Sequence, residues 1–405
     1  MLSAECWKMK HILPLLFLLP IYMPCLPSAN AHELNGNMSL EARLFTNSPL
    51  YPGQDHHNFS IAITPEYYHE WNEGHSFTFV PFVRLDSVDS ERNHLDIREM
   101  NLLLLGDPWE LRLGISKFFW GVTEFVHLID IINQTDLVED IRGEEKLGQP
   151  MVHLSVPGDW GVLDLFGLPC FRERTFPGTD GRLRTGIIVE TDKPVYESGA
   201  EENHFDFALR YSRVLDSGDI GIYYFRGTGR EPLLIPSNIL GRQVLQPYYQ
   251  QIDQAGMDLQ MVRGNWLWKL EALYQDNENK SYFATTGGIE YTFFGIKDSM
   301  MDLGFITEFV YDNRDDAATT SFENDLLLGL RLAVNDGPGT ELLLGLSHDL
   351  NNGGDILQIE ASRRLADNIK VFLEVWGFFN TDHDDFYLYS IRDDDFVRLQ
   401  VFYYF

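Results

Sequence analysis

Cysteine is scarce in this chain. Of the three present, Cys6 and Cys25 fall in or before an apolar leader, so a processed chain keeps Cys170 and can form no intrachain disulfide. Basic residues are few as well: 31 Lys and Arg stand against 61 Asp and Glu, a formal net charge of −30. That sign repels a phosphate backbone, which excludes nucleic acid as a partner. After the leader no apolar run reaches about 18 residues, the length that crosses a bilayer as a helix. Catalytic signatures are missing too: there is no Gly-x-Ser-x-Gly, no His-Glu-x-x-His and no phosphate loop. His56-His57 beside Asp55, and His383 among Asp382, Asp384 and Asp385, have ligand chemistry, but they sit at polar loop tips and read as solvated. No metal or cofactor is expected.

What is present begins at the amino terminus. Lys8 and Lys10 precede an apolar run over residues 12–26, which ends at Ala29-Asn30-Ala31, a small-x-small cleavage pattern. This is the layout of a secretory signal peptide over residues 1–31, with one domain from His32 to Phe405. Hydrophobic residues make up 44% of the chain, an ordinary fraction, while aromatics at 13% are enriched, which suits rings gathered at a membrane interface.

The last eleven residues show how the rest is built. Val397, Leu399, Val401, Tyr403 and Phe405 fall on one face; Arg398, Gln400, Phe402 and Tyr404 fall on the other. Period two is a strand and no helix. This stretch resembles the terminal strand of bacterial outer-membrane β-barrels, which end on an aromatic residue. About 18 segments alternate in this way, among them residues 58–71, 75–86, 94–105, 247–261, 265–275 and 322–334. Trp266, Trp268, Leu270, Ala272 and Tyr274 suit lipid, as do Leu326, Leu328, Leu330 and Leu332, with Lys269, Glu271, Asp325 and Arg331 facing in. Alternate connections are tight, such as Asn72-Glu73-Gly74, Gly106-Asp107-Pro108 and Asp216-Ser217-Gly218, and those between them are longer and polar. The expected fold is an all-β, transmembrane, antiparallel up-and-down barrel of about 18 strands, 16 being the alternative count. It has long extracellular loops, short periplasmic turns and a bacterial outer-membrane location.

Residues 118–149 are too apolar for a solvated loop, although they lie on the long-loop side. The expectation is a loop folded into the barrel. Trp120, Phe125, Ile129 and Ile132 would pack on the wall, and Glu124, Asp130, Asp136, Glu139 and Asp140 would face the water path; further strands or an exterior cap are the other readings. Residues 169–203 carry Arg172, Arg174, Arg182 and Arg184, which set against the acidic loop would create a transverse field across a constriction. A solvated charge cluster is the blander reading. Arg112, Arg210, Lys269, Glu271, Arg331, Glu374 and Arg398 are further lumen positions by alternation. A basic residue followed by Trp120-Gly121, then Asp130-x-x-Asn133-x-x-Asp136, resembles a stretch in outer-membrane proteins related to the alginate-export porins. The resemblance implies a porin-like channel and no particular solute.

The expected function is passive diffusion of small hydrophilic solutes through a constricted outer-membrane pore, without enzymatic activity. The expected partners are outer-membrane lipid and lipopolysaccharide, the barrel-assembly machinery through the strand ending in Phe405, and further copies of the chain. An embedded lipid hydrolase or acyltransferase, and a non-conducting structural or adhesive barrel, are the alternatives.

Overall fold

A computed structural model of the chain describes residues 31–72, 74–277, 280–320 and 322–405. The expected leader lies outside the described residues, apart from its last position. In chain order the strands are β1 (Ala31–Phe45), β2 (His57–Trp71), β3 (His75–Asp86), β4 (His94–Leu105), β5 (Glu110–Ser116), β6 (Gln149–Gly158), β7 (Gly161–Leu168), β8 (Val195–Tyr196), β9 (Asp206–Leu215), β10 (Gly218–Thr228) and β11 (Leu233–Ile239). They continue with β12 (Arg242–Tyr249), β13 (Gln251–Arg263), β14 (Trp266–Asp276), β15 (Ser281–Phe293), β16 (Asp302–Asp312), β17 (Asn324–Ala333), β18 (Glu341–Asp349), β19 (Asp355–Ala366), β20 (Ile369–Phe379) and β21 (Phe396–Tyr404). One short helix, α1 (Phe386–Ser390), precedes β21.

Eighteen of these strands form one antiparallel sheet in which sequential strands are neighbours and β21 pairs with β1. The sheet therefore closes with no free edge, as a bilayer requires. Alternation decides the two faces. On β21, Leu399 and Tyr403 are exposed outward, as is Phe405 just beyond it, while Arg398 and Gln400 are each only 7% exposed inside. On β14, Trp266, Trp268, Leu270 and Tyr274 look out and Glu271 is fully buried within. At the short-turn end Trp266, Tyr291, Phe293 and Phe305 form an edge-to-face run with ring centroids 4.6, 4.7 and 5.7 Å apart, a girdle at the membrane boundary. With this apolar belt the chain is an outer-membrane β-barrel.

The seam closes at Gly36 and Phe405, whose main chains exchange hydrogen bonds of 3.2 and 3.1 Å. A Cβ on Gly36 would stand 2.7 Å from the Thr64 carbonyl oxygen and 2.9 Å from the Phe405 ring, so only glycine lets three strands meet there. Pro81 sits in β3 at a register shift opposite β4, where a missing N–H costs no ladder bond.

Two expectations need correction. The expected strand over residues 247–261 joins the end of β12 to most of β13, because the alternation runs through Gln250 without a break. β8, β11 and β12 form a separate three-stranded sheet within the long connections, unannounced by any lipid-facing period.

Candidate functional site

The connection between β5 and β6, residues 117–148, folds inward. Asn133 closes its neck: Nδ2 donates to the Ser116 and Leu147 carbonyls at 2.8 and 2.9 Å, and Oδ1 accepts from Phe118 N at 2.9 Å. Trp120 lies against Phe166 of β7 and Tyr223 of β10, with ring centroids at 5.6 and 5.1 Å. Ile129 and Ile132 are fully buried. The loop then crosses the interior, since its tip meets β14, β16, β17 and β18, about half the circumference from β5 and β6.

The tip is held by its main chain. Glu271 of β14 accepts from Val122 N, Thr123 N, Thr123 Oγ1 and Ile129 N at 2.7, 3.1, 2.6 and 3.3 Å. Glu308 of β16 accepts from Glu124 N and Phe125 N at 2.7 and 3.1 Å. The Glu124 side chain reaches Lys269 at 3.4 Å and bonds Arg331. Phe125 fills a socket made by Gly329 of β17 and Gly345 of β18, which are register partners; a Cβ on either would stand 2.8 or 2.7 Å from the ring. His127 lies 4.0 Å from Glu271. Burial pulls its pKa down, but the Glu271 carboxylate outweighs that and raises it above the ordinary histidine value.

The second limb is held by its acids. Asp136 pairs with Arg98 at 2.6 Å and Glu139 with Arg84 at 2.7 Å. Arg92 Nε and Arg43 Nη2 donate to the Val138 and Glu139 carbonyls at 2.9 and 3.1 Å. Glu41 lies at the centre of these arginines, 2.9 Å from Arg92, 3.0 Å from Arg43 and 3.6 Å from Arg84. Burial alone would raise the Asp136 pKa, yet Arg98 and His94 hold it below the ordinary carboxylate value. Such groups tolerate burial because each has an opposite charge in contact.

Beside the loop a cavity of about 710 Å³ is bounded by Phe125, Leu128 and Arg142 from the loop, Leu234 from β11, Leu388 from α1 and Trp376 from β20. Arg174 also lines it, with Gln134 Oε1 at 3.5 Å from its Nε.

The expected site residues divide into groups. Trp120, Glu124, Asp130, Asp136, Lys269, Glu271 and Arg331 come together along the infolded loop, Asp130 pairing with Lys146 at 3.2 Å. Arg112 lies under Phe118, 5.8 Å from its ring, and Arg210 pairs with Asp258 and faces the Trp120 ring at 5.0 Å. Glu374 bonds Arg398 across the β20–β21 pair. The acids expected to face water do not: Asp136, Glu139 and Asp140 are buried against arginines, because a buried carboxylate beside an arginine wall is better paired than left open. Nor do the four loop arginines oppose the acidic loop as one set. Arg172 pairs with Asp96 at 2.8 Å, Arg182 with Asp394 at 2.6 Å, and Arg184 stacks on Tyr51 at 4.4 Å. The opposing cations are Arg43, Arg84, Arg92, Arg98 and Arg398. Arg43, Arg92, Arg98 and Glu41 were missed by sequence reading; for Glu41 and Arg43 the signal was available, since they alternate with the outward Leu40 and Leu44.

No family model matches the chain, and no curated protein matches it. Among solved structures it is similar to a BenF-like porin from Pseudomonas fluorescens Pf-5, at TM-score 0.53 and 9% identity over 93% of this chain and 98% of that one. Looser likenesses are to OmpT, an outer-membrane protein of Vibrio cholerae in trimer form (TM-score 0.45, 10% identity, 93% and 100% covered). A mutant of Rh. blastica porin is comparable (TM-score 0.44, 12% identity, 93% and 100% covered). The chain thus has the fold of an outer-membrane porin barrel.

Proposed function

We propose that the chain is a porin-like channel for passive diffusion of small hydrophilic solutes, narrowed by residues 117–148. The observation that carries this reading is a loop that crosses the interior and is tied to both walls. A barrel of this strand number is wide enough for an aqueous channel unless something enters it. Wall charges such as Lys269, Arg331 and Arg210 would then sieve solutes by sign as well as size. Within this proposal residues 1–31 are the leader, and lipopolysaccharide, the assembly machinery and further copies are the partners. The likeness of residues 117–136 to the alginate-export group supports a channel and no specific solute.

Stepwise conductance in planar bilayers, enlarged by deletion of residues 122–140, is the expected result. Silence in every tested condition, with folded protein inserted, would end this reading. One observation favours a competitor: α1 packs Leu388 with Trp376 and Phe378 over the long-loop end, which suits a barrel that stays shut. Liposome swelling with a small sugar separates the two.

A further inference from the structure

The short-turn rim carries a pair of histidines that the channel does not use. His32 of β1 and His69 of β2 are direct cross-strand partners. Ladder bonds on this pair fall at odd positions of β1, as the 2.8 Å bond from Phe45 N to the His56 carbonyl shows. His32 and His69 are therefore a non-hydrogen-bonded pair, the geometry that brings side chains closest. Their Nδ1 atoms are 3.3 Å apart. A tetrahedral zinc ion with Zn–N bonds of about 2.0–2.1 Å sets two nitrogen ligands about 3.3–3.4 Å apart. The spacing of the two rings is thus the bite of such an ion. The Tyr67 and Trp71 rings stack on either side of His69, with centroids at 6.4 and 5.6 Å, and limit its swing.

Among the described residues no cluster of three or more His, Cys, Asp or Glu side chains has ligand geometry, so a third donor has to come from the main chain. Ala29-Asn30-Ala31 puts the cleavage immediately before His32. Cleavage there turns the His32 nitrogen into a free amine, and an α-amine with Nδ1 of the same residue closes a six-membered chelate. The ladder leaves that nitrogen accessible. At a non-hydrogen-bonded position it points away from β2, and on the other side the pairing of β1 with β21 reaches only to Gly36 and Phe405.

We propose that the processed chain binds one zinc-class divalent ion at the periplasmic rim through the His32 α-amine, His32 Nδ1 and His69 Nδ1, with water in the fourth position. The ion would pin the first residues of β1 to β2 where β21 no longer supports them. Without metal the same contact is a ring-to-ring hydrogen bond.

The test uses protein isolated from outer membranes without a polyhistidine tag, its first residue read by amino-terminal sequencing. Zinc titration by calorimetry should give one ion per chain. Cobalt(II) should give the intense visible bands of a tetrahedral site. His69→Ala and His32→Ala should each weaken zinc binding by about tenfold or more, as the loss of a ligand does. Heat-modifiable gel migration confirms that both variants stay folded. Zinc binding unchanged in His69→Ala, no zinc binding at all, or a first residue other than His32 would overturn the site. None of these outcomes bears on the channel.

Discussion

On the β21–β4 side of the lumen the loop brings carboxylates and the wall supplies guanidinium groups. On the β14–β16 side the loop brings main-chain N–H groups and the wall supplies carboxylates. The first arrangement depends on which residues the loop carries: without Asp136 and Glu139 the arginines would be left with buried charge. The second depends less on loop sequence, because every residue but proline has an N–H to offer, although the Thr123 hydroxyl and the Glu124 carboxylate add side-chain bonds there. The arginine side is also redundant. Glu41, Glu139 and the Glu139 carbonyl share Arg43, Arg84, Arg92 and Arg398, so one deletion leaves neighbours in place. On the glutamate side the hold is concentrated in one residue: Glu271 accepts four hydrogen bonds, against two at Glu308.

The largest effect is therefore expected on the glutamate side. Hydrogen bonds to a charged group contribute about 1.5–3 kcal/mol each, so Glu271→Ala should free the tip. Single-channel conductance should rise and become noisy; a trace like that of the unaltered protein would show that main-chain capture does not hold the loop. On the arginine side Arg84→Ala and Glu139→Ala should each cost less than Glu271→Ala. Their double-mutant cycle should show a coupling of about 1–3 kcal/mol in urea unfolding. Strict additivity would mean that the pair is not a unit.

A smaller effect is expected at the socket. Gly345→Ala places a methyl 2.7 Å from the Phe125 ring, an overpacking that costs about 1–3 kcal/mol. Phe125→Ala in the same chain should relieve that clash, so the double variant should be more stable than the sum of the singles. The smallest effect is a pH dependence from His127. Burial lowers its pKa, the Glu271 carboxylate raises it, and the net shift is upward. The stabilisation is then fully present below the ordinary histidine pKa and is lost as pH rises through the raised value. Conductance noise should grow modestly on going from acidic to alkaline buffer and should be flat in His127→Phe.

The wall strands were legible because lipid imposes period two on one face for the whole length of each strand. Leu328 and Leu330 beside Asp325 are enough to fix the facing of β17. β8, β11, β12 and α1 answer to local packing instead and leave no such period. That the loop enters the barrel was readable from the apolar character of Trp120, Phe125, Ile129 and Ile132. Which wall groups receive it was not, because barrel closure sets those partners: Arg43 and Arg398 are register neighbours only once the first and last strands meet. Those two like charges are tolerated there because Glu41 and Glu374 lie against them.

Capture of the tip through its peptide N–H groups by Glu271 and Glu308 separates two demands that usually compete. Where the hold is a peptide N–H alone, as at Val122 and Ile129, the side chain can be exchanged to alter what passes while the hydrogen bond stays; Thr123, Glu124 and Phe125 fasten the strap with their side chains as well. A lineage could retune this gate one residue at a time without ever unhooking it.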